Sequence, residues 1–61
     1  MPFINVQMLT GKTEEQKASL AQAITDAFVE IAQSKPEAVF VIFSEIQKTD
    51  LAKAGKLVSK S

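Results

Sequence analysis

Few of the 61 residues can do chemistry. The chain has no cysteine and no histidine, which excludes thiolate nucleophiles, zinc sites of the usual kind and histidine-based triads. What remains is unusual by position. Pro2 stands directly behind Met1, at the head of Phe3-Ile4-Asn5-Val6-Gln7-Met8-Leu9. Removal of Met1, the expected processing of a methionine that precedes proline, would turn the Pro2 ring nitrogen into a free secondary amine. A retained Met1 would leave an amide with no basic lone pair. The plain structural reading of Pro2 is a strand-initiating proline, tolerated there because its missing N–H removes no ladder bond.

Lys12 is the second candidate. Gly11-Lys12-Thr13 resembles the end of a phosphate loop, but that loop needs a glycine where Val6 stands, and the segment is too short to wrap a phosphate. Lys12 nevertheless sits just ahead of a predicted helix N-terminus, a natural place for an anion. The alternative is a solvated loop lysine. Glu45 and Asp50 lie five residues apart with no fixed mutual geometry, so they read as surface or turn acids rather than an acid pair. Phe28, Phe40 and Phe43 read as core or interface residues.

The elements that must position these residues follow from periodicity. In the first strand Ile4, Val6 and Met8 share one face, while Phe3, Asn5, Gln7 and Leu9 share the other. The first face is wholly apolar and is expected to meet a helix. Thr10-Gly11 is a turn signal. Thr13 and Gln16 have capping-box spacing, and Glu14 and Glu15 suit the positive end of a helix dipole. A helix is predicted from about Glu14 to about Gln33, with Leu20, Ile24, Ala27, Phe28 and Ile31 as its apolar stripe and Lys17 lying away from it.

Pro36 ends the helical stretch. Ala38-Val39-Phe40-Val41-Ile42-Phe43, running on to Ser44-Glu45-Ile46, is β-branched and aromatic without alternating polarity. That pattern marks a strand covered on both faces, as in a parallel sheet. Strand, helix, strand is a βαβ unit. The tail from Gln47 to Ser61 is lysine-rich, with Gly55 as a turn, and reads as a short helix or as an arm laid over a neighbour.

Length and charge narrow the class. The chain is one domain, residues 1–61, and one this short buries only about 60% of its unfolded surface. It is 46% hydrophobic, too apolar for disorder, and has no staple, which points to oligomerisation. A two-stranded sheet is marginal alone, and a symmetric dimer is the simplest cover. Seven lysines balance seven acids, with no arginine, against a nucleic-acid partner. The longest apolar run, Ala38 to Phe43, cannot span a bilayer. No signal peptide is visible, and the expected location is the cytoplasm.

These pieces together resemble the 4-oxalocrotonate tautomerase family. The resemblance rests on Pro2, a strand of about eight residues, and Leu9-Thr10-Gly11-Lys12-Thr13-Glu14-Glu15-Gln16-Lys17. Val41-Ile42-Phe43-Ser44-Glu45-Ile46 is similar to the family's second strand, and Ala54-Gly55-Lys56 to its C-terminal hairpin. The resemblance implies an α+β fold in which β-α-β subunits with parallel strands pair into a four-stranded dimer sheet, commonly assembled as a trimer of dimers. It implies catalysis by the amino-terminal proline, Pro2, on an enol or dienol acid, with no cofactor. An apolar pocket would lower that amine's pKa towards neutrality, where a general base is efficient.

The resemblance also places Lys12, Phe40 and Leu51 at the substrate. There the sequence departs from the family, whose arginines hold carboxylates at the positions of Lys12 and Phe40 and whose aromatic wall stands at Leu51. Lysine keeps the charge but loses bidentate geometry, and phenylalanine keeps nothing of an anion site. Two functions are therefore carried forward. One is a small enol–keto tautomerase acting on 2-hydroxy-dienoate or enolpyruvate-type acids. The other is a noncatalytic oligomeric scaffold or binding subunit that retained the fold.

Overall fold

In the computed structural model, which describes residues 1–60, the predicted unit forms. Strand β1 (Phe3–Leu9) leads to helix α1 (Glu14–Ile31), which returns the chain to strand β2 (Phe40–Ile46). The strands pair in parallel, with Phe3 opposite Phe40, Val6 opposite Phe43 and Leu9 opposite Ile46. A second, two-stranded antiparallel sheet joins β3 (Ala52–Lys53) to β4 (Lys56–Leu57).

The helix begins where its orphan amides find partners. The Gln16 N–H donates to Thr13 Oγ1 at 3.1 Å, and the Thr13 N–H donates to Gln16 Oε1 at 2.9 Å. This reciprocal pair is the predicted capping box. The helix stops at Ile31, two residues short of expectation. Gln33 adopts φ 57°, a left-handed conformation that cannot continue the helix. The Phe28 carbonyl then accepts from both Ala32 N–H (3.1 Å) and Ser34 N–H (3.2 Å).

β2 begins at Phe40 rather than at Ala38. Pro36–Ala38 form a 3-10 turn instead. The Ala38 and Val39 amides are spent on the carbonyls of Lys35 (2.9 Å) and Pro36 (3.2 Å), so ladder pairing starts only beyond them.

The sheet has one covered face and one open face. Ile4, Val6 and Met8 of β1, with Val41 and Phe43 of β2, are half-buried, whereas Phe3, Asn5, Gln7, Phe40, Ile42 and Ser44 are exposed. The helix meets the covered face through Lys17, Ala21, Ile24, Thr25, Phe28 and Val29, all half-buried. This corrects the predicted stripe. Ile24 and Phe28 belong to it, but Leu20 is 40% exposed and Ile31 81% exposed. The apolar sector of the helix is wider than the contact with its own sheet, and Leu20, Ala27 and Ile31 lie on the flank left bare.

Lys17, expected to point away, is turned towards the sheet because Glu45 awaits it. Their side chains pair at 2.9 Å. Among the described residues, none reaches the burial of a protein core. The Cα radius of gyration is 14.7 Å, against about 10.5 Å for a compact chain of this length. Residues 48–60 fold on themselves as an arm: the Val58 N–H donates to the Leu51 carbonyl at 2.8 Å, and Ala54 and Gly55 both take positive φ in the hairpin turn.

Candidate active site

Pro2 is half-buried at the mouth of the parallel sheet. Its carbonyl accepts the Phe40 N–H at 3.0 Å. This bond extends the ladder one step beyond the strand proper and fixes the position of the proline against the start of β2. Met1, which precedes it, is 78% exposed.

Phe40 is the neighbour that this register gives to Pro2. Its ring stacks on Phe3, with centroids 5.0 Å apart and planes 14° from parallel. The pair sits on the open sheet face, Phe3 61% and Phe40 41% exposed. Phe3 was not assigned to the site from sequence. Its signal was its place beside Pro2 on a strand face of mixed polarity, and only the parallel register reveals the stack. The structure thus brings Pro2 and Phe40 together.

Lys12 lies elsewhere. It follows the far end of β1, and the intervening strand is about 23 Å long at roughly 3.3 Å per residue. That is farther than a lysine side chain reaches, so Lys12 and Pro2 of one protomer do not meet. Lys12 instead borders a cavity of about 220 Å³ with Met8, Gln16, Lys17 and Leu20. Leu51 also lies past that end of β2, 39% exposed on the arm. Within one protomer the four predicted positions therefore fall into a proline end and a lysine end.

The chain matches the family model for tautomerase enzymes over residues 2–61. It belongs to the tautomerase family. Membership makes it an isomerase by family, and the matched segment begins at Pro2. It is 39% identical to a 2-hydroxymuconate tautomerase of Bacillus subtilis over 59 residues, covering 97% of this chain and 95% of that one. It is 37% identical to a probable tautomerase of Halalkalibacterium halodurans, covering 97% of each.

Solved structures agree. YwhB, a homologue of 4-oxalocrotonate tautomerase, superposes with a TM-score of 0.92 at 37% identity, covering 98% of each chain. A heterohexameric 4-oxalocrotonate tautomerase from Chloroflexus aurantiacus superposes with a TM-score of 0.88 at 28% identity, covering 98% of this chain and 97% of that one. The tautomerase fold expected from the sequence is the fold observed. Among the described residues no helix is long and apolar enough to cross a membrane.

Proposed function

We propose that this tautomerase converts the enol of a 2-hydroxy-dienoate or enolpyruvate-type acid to its keto form, with the Pro2 secondary amine as general base after loss of Met1. The amine takes the proton from the enol oxygen, the electron pair of that O–H bond forms the carbonyl, and the C=C π pair that this displaces takes the proton back from the protonated amine to make the new C–H bond. Every proton and electron pair is accounted for without a cofactor. The observation that carries this reading is the fixing of Pro2 at the sheet mouth by the Phe40 amide, in a family match that begins at the same residue. The absence of histidine and cysteine leaves few other bases for work near neutrality.

The reading includes a homo-oligomer, a hexamer built as a trimer of dimers, in the cytoplasm. Support comes from the bare helix flank, the open sheet face, the projecting arm and the separation of Lys12 from Pro2 within a protomer. A partner's lysine end, set against the proline end, would complete a site that one chain leaves divided. Lys12 would then bind a substrate carboxylate, with Phe40 and Leu51 as apolar contacts.

The test couples intact mass to turnover. Protein shown by mass to lack Met1 is expected to ketonise phenylenolpyruvate or 2-hydroxymuconate, and a preparation with Met1 retained is expected to lose nearly all of that activity. Undiminished turnover with Met1 in place would rule out the proline mechanism. Inactivity of the processed protein on both acids would favour the scaffold reading.

A further inference from the structure

The cavity beside Lys12 has a second cation on its wall. Lys17 lines the same space, together with the apolar Met8 and Leu20. The two lysines are in different electrostatic states. Lys17 Nζ pairs with Glu45 Oε1 at 2.9 Å, with side-chain exposures of 25% and 39%. Lys12 is exposed and makes no ion pair among the described residues. Glu45 stands opposite Met8 in the parallel ladder, on the same side of β2 as Val41 and Phe43. Its carboxylate is thus brought under the helix, where it meets Lys17, one of the residues that line the cavity. Gln16, the remaining polar lining residue, has its side-chain oxygen engaged by the Thr13 amide.

We infer that Glu45 sets the charge of this cavity, cancelling Lys17 so that Lys12 alone faces a ligand, and that the cavity thereby selects an acid with one carboxylate and an apolar remainder over a diacid. The inference rests on the reading of the Lys12 cavity as the carboxylate subsite, and it adds a specificity-determining residue that acts through Lys17. The physical reason is charge matching. A first carboxylate gains Lys12, and the hydrocarbon beside it gains Met8 and Leu20. A second carboxylate finds Lys17 already paired and a glutamate close behind it.

The test is a binding cycle on the assembled, processed protein with two unreactive six-carbon probes, hexanoate and adipate. Binding is followed through the backbone amide NMR shifts of residues 12–17. Glu45→Gln is expected to raise the adipate-to-hexanoate affinity ratio by about three- to tenfold, the effect of removing one charge several ångströms away in a partly solvated site. Lys17→Met is expected to lower the ratio, because it strands the Glu45 carboxylate at the cavity. The double variant Lys17→Met with Glu45→Gln removes both charges and is expected to return the ratio to within about twofold of the wild type.

A pair that served only to hold helix to sheet would behave differently. The variants would then change thermal stability and leave the ratio alone. A ratio unmoved in Glu45→Gln, or not restored in the double variant, overturns the inference. So does a titration in which neither acid shifts the amides of residues 12–17. None of these readouts uses turnover, so they stand or fall separately from the chemistry of Pro2.

Discussion

At the scale of single residues, Pro2 and Phe40 are tied by one backbone bond of 3.0 Å, and that bond decides what lies near the proposed base. Phe40 offers a ring stacked on Phe3 and no donor for an anion. An unpaired carboxylate brought against it would lose hydration without compensation, whereas an apolar tail would gain about 25 cal/mol for each Å² covered. The protein is therefore expected to prefer phenylenolpyruvate-like monoacids over 2-hydroxymuconate-like diacids. Phe40→Arg should move the ratio of kcat/KM towards the diacid in a correctly assembled oligomer. The idea is falsified if the unmodified protein already favours the diacid. Lys12 carries the complementary prediction. A charge-assisted hydrogen bond contributes about 1.5–3 kcal/mol, so Lys12→Ala should lower kcat/KM by roughly ten- to a hundredfold. An unchanged value would return Lys12 to the role of a solvated loop residue.

At the scale of elements, α1 is bounded by two local devices of opposite quality. Its start has a complete capping box between Thr13 and Gln16. Thr13→Ala should therefore cost about 1 kcal/mol in chemical denaturation. Its end asks a glutamine, Gln33, to hold φ 57°, where glycine has no Cβ penalty. Gln33→Gly should stabilise by about 0.5–1 kcal/mol, and a lower denaturation midpoint would show that the Gln33 side chain contributes more than its backbone strain removes. Both ends also bear on function. The first helical turn carries Gln16 and Lys17 to the cavity, and the C-terminal turn sets the approach to Pro36 and hence the point where Phe40 joins the ladder.

At the scale of the whole molecule, the isolated protomer is a set of half-covered surfaces. Phe3, Phe40 and Ile42 lie on the open sheet face, Leu20 and Ile31 on the helix flank, and Leu51 and Leu57 on the arm, all above a third exposed. Fully burying one such side chain is favourable by about 1.5–3 kcal/mol. Association is accordingly expected to be obligate, with light scattering at micromolar concentration giving six times the 6.6 kDa chain mass. A well-folded species at the monomer mass would sink that expectation.

Much of this was legible in the residues themselves. The order of strand, helix and strand follows from the period of 2 in the first strand, the period of 3.6 in the helix, Pro36, and the β-branched and aromatic composition of the second strand. The helix start follows from Thr13 and Gln16. Pro2 was conspicuous because the chain holds no histidine or cysteine to compete with it. These are local matters, fixed by covalent geometry and neighbours a few residues apart. The sequence could not say which part of a wide apolar helix sector meets the sheet, and so Leu20 and Ile31 were assigned inward while Lys17 was assigned outward. It could not pair Lys17 with Glu45, 28 residues later, or set Phe3 against Phe40. Those contacts depend on the parallel register and on the rotation of the helix over the sheet. Both are settled by how all the side chains of the two layers pack at once, which no short stretch of the chain encodes by itself.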